Sequence, residues 1–129
     1  MLESRSIPNF TGKTILAVED DSISRLYLNE LLTPTGALVD FVRTGNEALN
    51  YFESKKIPDI VLMDIKLPDI DGIELSKTLI VKYPSIKIVA QTAFASEEIE
   101  EICKNIGMKA YLVKPIRNAD LMNVLSSLI

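Results

Sequence analysis

The chain has 129 residues, of which 47% are hydrophobic and 25% charged, and its formal net charge is −4. These values are typical of one globular domain with a single core, and the acidic balance argues against nucleic acid or an anionic membrane surface as the main partner. The chain contains no histidine, which excludes histidine-dependent zinc sites and catalysis by Ser-His-Asp or Cys-His groups.

Residues 1–13 are predicted to form a leader or linker, because Ser, Pro, Asn and Gly are frequent there. They lack the long apolar centre of a secretory signal, and no apolar run in the chain is long enough to cross a bilayer. We therefore expect a cytoplasmic protein without membrane contact, in which residues 14–129 form the domain.

Five short apolar runs rich in Val and Ile predict β-strands at residues 14–18, 37–42, 59–63, 86–91 and 110–113. Most of these runs are apolar throughout, without alternation between apolar and polar residues. Continuous hydrophobicity indicates strands that are covered on both faces, which is typical of a parallel sheet between two helical layers.

Five helices are predicted between and after these strands, because apolar residues recur there at helical spacing. Cys103 belongs to the fourth of these segments, and we interpret it as a small buried core residue. Pro84 is expected to end the third helix before the fourth strand. The apolar sets are Ile23, Leu26, Tyr27 and Leu31; Ala48, Leu49 and Phe52; Leu75, Leu79 and Ile80; Ile99, Ile102, Cys103 and Ile106; and Leu121, Val124, Leu125 and Leu128.

Residues that commonly begin or end helices lie at the boundaries of these segments. Ser22, Ser96 and Asn118 stand where an N-cap would satisfy free backbone N–H groups. Gly36 and Gly107 follow helices at positions where a left-handed backbone conformation is favoured.

Strands and helices in this alternation predict an α/β fold, a doubly wound (βα)5 sandwich around a five-stranded parallel sheet. Ligands of such sheets bind beyond the carboxyl ends of the strands. The side chains at those ends are three acids, a hydroxyl and a lysine. They are Glu19 and Asp20 after the first strand, Asp64 after the third, Thr92 at the fourth and Lys114 after the fifth.

These side chains suit metal-dependent chemistry on a phosphoryl group. Mg²⁺ prefers oxygen ligands and keeps several waters, so a few carboxylates and a backbone carbonyl can hold it. With charge neutralised in this way, Asp64 could attack phosphorus and carry an acyl phosphate. Lys114 and the Thr92 hydroxyl would then hold the phosphoryl oxygens.

Four motifs occur in order along the chain: ILAVEDD at 15–21, VLMDIKLP at 61–68 with Asp71 and Gly72, QTA at 91–93, and YLVKP at 111–115. Together they resemble the receiver domains of two-component response regulators, from about Lys13 to the C-terminus. The resemblance implies a flavodoxin-like strand order of 2-1-3-4-5. It also implies a phosphoacceptor signalling domain that is not an enzyme, although it assists its own phosphorylation and dephosphorylation.

The resemblance implies a role for each acid of the site. Glu19 and Asp20 bind the divalent cation, which is Mg²⁺ or, as a substitute, Mn²⁺. Asp64 accepts the phosphoryl group from a partner's phosphohistidine and also ligates the metal. Lys66 supplies only its backbone carbonyl to the metal, and the phosphoryl group is lost by slow autodephosphorylation.

The remaining residues of the motifs are implied to assist transfer and to switch the domain. Lys114 resembles the lysine that precedes a cis proline, here Pro115. Thr92 and Tyr111 resemble the switch pair, in which Thr92 moves toward the phosphoryl group and Tyr111 turns inward. This movement repacks the surface of the fourth helix, fifth strand and fifth helix, which would bind a downstream target or form a phosphorylation-dependent homodimer.

The implied phosphodonor is a sensor histidine kinase or a histidine phosphotransfer protein, because the chain has no histidine of its own. The chain ends at Ile129, directly after the last predicted helix, so we expect no output module. It would be a stand-alone receiver or the receiver part of a hybrid sensor kinase.

Three other functions compete with this interpretation. A degenerate receiver would keep the fold and bind a partner without being phosphorylated. A magnesium-dependent phosphatase of the haloacid dehalogenase type needs an acid two residues after its aspartyl nucleophile, where this chain has Lys66. A flavin carrier is disfavoured because no Ser/Thr/Gly-rich phosphate loop follows the first strand.

Further residues near the site receive structural interpretations. Asp21 is expected to begin the first helix and not to bind metal. Asp69, Asp71 and Gly72 are expected to shape the loop after the third strand, with Gly72 permitting a backbone angle that other residues resist. Phe94 is apolar where some receivers carry a residue that orients water, so we expect a comparatively long-lived phosphoryl group.

Overall fold

The computed structural model describes residues 7–54 and 56–129, and within them five parallel strands alternate with five α-helices. The strands are β1 (Thr14–Val18), β2 (Leu38–Val42), β3 (Ile60–Asp64), β4 (Ile88–Thr92) and β5 (Ala110–Val113). The helices are α1 (Ser22–Leu32), α2 (Gly45–Ser54), α3 (Gly72–Lys82), α4 (Glu97–Ile106) and α5 (Asn118–Leu128), and a short 3-10 helix, Thr33–Thr35, follows α1.

The sheet has the order β2-β1-β3-β4-β5, which confirms the predicted doubly wound fold. All four strand pairings are parallel, so the carboxyl ends of the strands lie at one edge of the sheet. At that edge Asp64 pairs with Gln91, and Thr92 pairs with Val113. This register brings the ends of β3, β4 and β5 next to one another.

Three of the five described strands differ from the predicted boundaries by one or two residues. β1 and β5 have the predicted limits, whereas β2 begins one residue later, at Leu38. β4 begins at Ile88, because the chain first makes a turn in which the Ile86 N–H donates to the Tyr83 carbonyl over 3.0 Å. Asp64 lies within β3, since its backbone is paired with β4.

The core has two layers, one on each face of the sheet. Every residue of β3 and β4 is buried, as continuous hydrophobicity predicts for central strands. One layer packs the sheet against α2, α3 and α4 and contains Cys103, which confirms its interpretation as a core residue. The other layer packs the sheet against α1 and α5. Among the described strands, the edge strand β2 alone alternates between exposed and less exposed residues.

The apolar face of α1 is not the one that the helical spacing predicted. Its buried residues are Leu28 and Leu32, which are four apart and therefore share one face. Ile23 and Leu26 are 75% and 62% exposed, respectively. The pattern indicated the helix correctly, but only packing against the sheet selected the buried face.

Two of the three predicted N-caps are wrong. Asp21 caps α1, because its carboxylate accepts from the Ser24 N–H over 2.8 Å, and Ser22 is the first helical residue. This geometry agrees with the helix-initiating role expected for Asp21. At α5, Arg117 occupies the cap position without a side-chain capping bond, and Asn118 is already helical.

The remaining predicted helix ends agree with the structure. Ser96 caps α4, since its hydroxyl accepts from the backbone N–H of Ile99 over 3.0 Å. Gly107 ends α4 with a left-handed φ of 103°, and Gly36 ends the 3-10 helix with a φ of 81°. α3 ends at Lys82, two residues before Pro84.

Part of the predicted leader packs onto the domain. Phe10 is buried, and its N–H donates to the Thr35 carbonyl over 2.7 Å. Residues 1–6 of that segment lie outside the described residues. In the described part of the chain, no helix has both the length and the hydrophobicity needed to cross a membrane.

Candidate functional site

The turn after β1 carries two adjacent acids with very different exposure. Glu19 is fully buried, whereas Asp20 is exposed. The Glu19 N–H continues the sheet by donating to the Val42 carbonyl over 2.9 Å. The Arg25 guanidinium donates to the carbonyls of both Glu19 and Asp20, over 3.0 and 2.7 Å. Sequence reasoning missed this contribution of Arg25, which holds the turn in shape from the first turns of α1.

Three carboxylates converge at this edge of the sheet, as their positions at strand ends predicted. Glu19, Asp20 and Asp64 each offer an oxygen, and these oxygens lie within 4.8 Å of one another. Asp64 is only 6% exposed, and its Oδ1 accepts from the Lys66 N–H over 3.1 Å. Oxygen ligands at this spacing fit a hard divalent cation, which would offset the repulsion between the acids.

Lys114 reaches into the same cluster from the end of β5. Its ammonium lies 2.5 Å from Oε1 of Glu19 and 3.3 Å from Oδ2 of Asp64. Its backbone N–H donates to the Thr92 carbonyl over 2.7 Å, and the Lys114–Pro115 peptide bond is cis. The lysine therefore joins β4 and β5 to the acids of β1 and β3.

Burial and the neighbouring charges shift the protonation of this cluster. Burial first, and then the nearby Glu19, raise the pKa of Asp64 to about 6, against the opposing effects of Lys114 and of the Lys66 N–H. For Lys114, burial alone would lower the pKa. The hydrogen bond to Glu19 and the charge of Asp64 outweigh burial, so the pKa of Lys114 is raised. Lys114 is thus a stable cation beside the acids.

Thr92 and Tyr111 both approach the backbone of Phe94. The Thr92 hydroxyl accepts from the Phe94 N–H over 3.0 Å. The Tyr111 hydroxyl lies 3.4 Å from the Phe94 carbonyl oxygen, at the long end of hydrogen-bond distances. Thr92 is nearly buried, whereas Tyr111 is half-buried. The two predicted switch residues are therefore connected through the β4–α4 loop.

A cation–π contact bridges two loops over the site. The Lys66 ammonium lies 4.6 Å from the centre of the Phe94 ring, and both side chains are exposed. Lys66, Phe94, Thr92 and Lys114 line a cavity of about 360 Å³ together with the acids. Sequence reasoning did not pair Lys66 with Phe94, because no local pattern relates residues on different loops.

The loop after β3 is held by the two aspartates that were expected to shape it. Asp71 caps α3 by accepting from the Ile73 N–H over 2.7 Å. Asp69 accepts from the N–H groups of Gly45 and Asn46 over 2.8 and 2.9 Å, which ties this loop to the start of α2. These hydrogen bonds, first the one from Gly45, lower the pKa of Asp69.

The interpretation of Gly72 requires a correction. Its φ is not positive, so it is not needed for an unusual backbone angle. A Cβ at Gly72 would lie 2.2 Å from the Asp64 carbonyl oxygen and 2.8 Å from the Ile65 Cα. The Gly72 N–H also donates to the Ile65 carbonyl over 2.8 Å. Glycine is therefore required because the start of α3 packs directly against the backbone of Asp64.

The fold and this acidic site define a receiver-type domain, and the family comparison agrees. A model described as "Response regulator receiver domain" matches residues 15–126. The chain belongs to the response regulator receiver domain family, whose members act in two-component signalling. The resemblance in the sequence motifs is thereby confirmed at the level of the family.

Individual relatives come from different kinds of regulator. The chain is 36% identical over 111 residues to the transcriptional regulatory protein PdtaR of Mycobacterium tuberculosis, covering 85% of this chain and 53% of PdtaR. It thus spans about half the length of that relative. It is 35% identical over 106 residues to the polar-differentiation response regulator DivK of Brucella anthropi, covering 81% of this chain and 85% of DivK.

A solved structure with a similar fold holds a metal ion. The receiver domain of the sensor histidine kinase PA1611 from Pseudomonas aeruginosa is 31% identical to the chain, with a TM-score of 0.81. The match covers 92% of this chain and 98% of that one. In the PA1611 structure a magnesium ion is coordinated in the active site cleft.

Proposed function

We propose that this domain accepts a phosphoryl group on Asp64 from the phosphohistidine of a sensor histidine kinase or histidine phosphotransfer protein. The observation that carries the proposal is the position of the Asp64 carboxylate. It is nearly buried, within 4.8 Å of oxygens of Glu19 and Asp20, and 3.3 Å from the Lys114 ammonium. A carboxylate so placed is oriented for attack, and Lys114 together with a cation held by the acids would offset the charge of a phosphoryl group.

The proposed transfer moves one phosphoryl group between two nucleophiles. A carboxylate oxygen of Asp64 attacks phosphorus, the phosphorus–nitrogen bond breaks, and its electron pair returns to the donor imidazole. Lys114 and the Thr92 hydroxyl then hold phosphoryl oxygens. In the later hydrolysis, a water oxygen attacks phosphorus and the bond to Asp64 breaks. Inorganic phosphate and a proton leave, and the free carboxylate is restored.

The residues present fit a divalent cation in this site. Glu19, Asp20 and Asp64 would hold Mg²⁺, or Mn²⁺ in its place, and Lys66 would add its backbone carbonyl. The bound cation would neutralise charge on the acids and on the phosphoryl oxygens. Support comes from the oxygen-only set of side-chain ligands and from the magnesium ion in the cleft of the PA1611 receiver domain.

The proposed output is a change in the surface formed by α4, β5 and α5. In the structure Thr92 and Tyr111 both contact the backbone of Phe94. A Thr92 hydroxyl drawn toward a phosphoryl group would give up its bond with the Phe94 N–H, which frees the β4–α4 loop to move. Tyr111 would then turn inward, and the altered surface would bind a downstream target or a second copy of the domain.

The decisive experiment measures intact mass after incubation with Mg²⁺ and acetyl phosphate. We expect the wild type to gain the mass of one phosphoryl group, in an adduct that base removes, and Asp64→Asn to gain none. Asp21→Asn serves as the matched control, because Asp21 caps α1 and is not proposed to accept phosphate. Equal labelling of wild type and Asp64→Asn would contradict the proposal.

A second measurement separates this function from that of a degenerate receiver. A degenerate domain would neither bind Mg²⁺ at the acidic cluster nor take up phosphate. We expect Mg²⁺ titration to shift the backbone resonances of Asp20, Asp64 and Lys66 in the wild type, with loss of this response in Asp20→Asn. If Mg²⁺ binds elsewhere or not at all, the metal-dependent function fails.

A further inference from the structure

Gln91 is a polar residue in the buried strand β4. It is fully buried, and neither its amide nitrogen nor its amide oxygen has a hydrogen-bond partner among the described residues. Burying an amide without hydrogen bonds is costly, so a group of this kind calls for an explanation. The phosphoryl transfer proposed above gives this side chain no role.

The Gln91 side chain lies on the same face of the sheet as Asp64 and Lys114. Asp64 is its register partner on β3, and paired residues of neighbouring strands project to the same face. Its partner on β5 is Leu112, and Lys114 follows two residues later, so the alternation of side chains brings Lys114 to this face as well. Val89, two residues before Gln91, packs in the core layer under α1 and α5, which identifies the face.

Lys114 has to cross β4 to reach its partners. Its ammonium lies 3.3 Å from Oδ2 of Asp64 on β3 and 2.5 Å from Oε1 of Glu19, which follows β1. In the sheet, β4 separates β5 from both of these strands. The residue of β4 that is in register with Asp64 is Gln91. In strand order, Gln91 therefore stands between Asp64 and the base of the lysine side chain.

The lysine and a divalent cation compete for the same carboxylates. In the structure Glu19 and Asp64 pair with Lys114, and both belong to the acidic cluster that would hold Mg²⁺. Two cations beside one another repel, so a bound cation weakens the hold of the acids on the ammonium. The side chain of Lys114 is only 22% exposed and then needs another acceptor. Among the described residues, the buried and uncommitted acceptor on this face is the amide oxygen of Gln91.

We propose that Gln91 is a positioning residue that holds Lys114 when the acidic cluster binds its divalent cation. Its amide oxygen accepts from the Lys114 ammonium, and its amide nitrogen donates to the carboxylate of Asp64. The lysine is thereby kept beside Asp64, where it can meet the phosphoryl oxygens. This role rests on the proposed metal site and adds to it a residue that the sequence motifs leave without a function.

An amide that is satisfied only when the cation is bound affects stability and binding in opposite directions. In the metal-free domain Gln91 is destabilising, because burying amide atoms without partners is costly. With the cation bound, the same atoms form hydrogen bonds to charged groups, which strengthens binding. Replacing the amide by an apolar side chain should therefore stabilise the metal-free domain and weaken cation binding together.

The test compares the wild type with Gln91→Met, whose side chain is similar in length and lacks the amide. In EDTA, the urea midpoint of the variant is expected to be higher than that of the wild type. The dissociation constant for Mg²⁺, measured by calorimetry, is expected to rise about tenfold, which corresponds to about 1.4 kcal/mol. Leu112→Met is the matched control, because it alters the buried register partner of Gln91 and should leave the Mg²⁺ affinity unchanged.

Two further measurements show whether Gln91 acts through Lys114. In the wild type, Mg²⁺ titration is expected to shift the side-chain amide resonances of Gln91 in parallel with the backbone resonance of Asp64. In Lys114→Met the shift of the Gln91 amide should be much smaller. In that background Gln91→Met should also weaken Mg²⁺ binding by less than about threefold, because the partner of the amide is already missing.

Three outcomes would overturn this role of Gln91. Gln91→Met could bind Mg²⁺ as tightly as the wild type, as it would if the amide were only structural or held an enclosed water molecule in both states. The Gln91 amide of the wild type could fail to respond to Mg²⁺. The loss of affinity in Gln91→Met could persist in full beside Lys114→Met. Absence of Mg²⁺ binding in the wild type would instead refute the proposed metal site and, with it, this role.

Discussion

The ammonium of Lys114 lies 2.5 Å from Oε1 of Glu19, a carboxylate whose side chain is only 1% exposed. This pair connects the end of β5 to the end of β1 across the two intervening strands. It pairs a buried acid at the edge of the sheet with a lysine, and it places that lysine within reach of Asp64.

Loss of the Lys114 charge should destabilise the metal-free domain. Lys114→Met leaves Glu19 buried without its cation, and we expect a decrease of about 2 to 3 kcal/mol in the free energy of unfolding, because unpaired buried charges are costly. Urea denaturation in EDTA measures this change. Lys109→Met, which removes an exposed lysine, should change stability by less than about 0.5 kcal/mol. Equal stability of both variants would contradict the pairing.

The free energy of unfolding of the metal-free domain should decrease as the pH rises, because Asp64 loses its proton. Its pKa is raised to about 6 in the folded state, from the ordinary value of 3.8. The folded state therefore holds the proton more tightly, and this contribution to stability is complete below about pH 4 and lost as the pH rises through about 6.

Asp64→Asn removes this titration. We expect it to stabilise the domain by about 1 to 3 kcal/mol near neutral pH in EDTA, and much less near pH 4. Urea denaturation at several pH values checks this dependence. Glu101→Gln, which replaces an exposed acid of α4, is the control and should show no such trend. A variant less stable than the wild type near neutral pH would contradict the assigned burial of Asp64.

Any side chain at Gly72 should lower the stability of the domain. In Gly72→Ala the new Cβ meets backbone atoms of Asp64 and Ile65, which cannot rotate away, so we expect a loss of about 1 to 3 kcal/mol. We also expect weaker Mg²⁺ binding, because the start of α3 must move away from Asp64. At Gly45 the first obstacle is the side chain of Ile70, so Gly45→Ala should spare Mg²⁺ binding. Unchanged Mg²⁺ affinity in Gly72→Ala would contradict this coupling.

Phe94 should prolong the life of the phosphoryl group. The ring lies under the Lys66 ammonium and offers no group that could orient a water molecule. Phe94→Glu adds a carboxylate there, and we expect hydrolysis about tenfold faster or more, since a positioned general base can contribute this much. Loss of the labelled phosphoryl group over time measures the rate. Phe94→Leu should hydrolyse slowly, and an unchanged or slower rate in Phe94→Glu would refute the idea.

Much of the fold could be predicted because its signals are local. Continuous apolar runs indicated buried parallel strands, and Gly107 and Ser96 marked the ends of α4 correctly. The wrong N-caps at α1 and α5 have a common cause. In both helices the predicted cap is already the first helical residue, because the path of the chain entering the helix decides where the helix begins. At α1 this path makes the neighbouring Asp21 the cap, whereas at α5 it leaves Arg117 at the cap position without a capping bond.

The order of strands and helices can be read from the sequence alone, and so can the strand-end positions of the five site residues Glu19, Asp20, Asp64, Thr92 and Lys114. Periodicity and motif spacing are properties of neighbouring residues, so they can be read without coordinates. The parallel sheet then brings these ends to one edge, whichever details of packing follow.

Which residues touch, and which helix faces are covered, depends on how the elements pack in three dimensions. The contact of Lys66 with Phe94, the exposure of Ile23, the close approach at Gly72 and the unpartnered amide of Gln91 all involve segments far apart in the chain. Such contacts depend on how whole helices pack on the sheet, because many packings of similar hydrophobic content are compatible with the same local pattern.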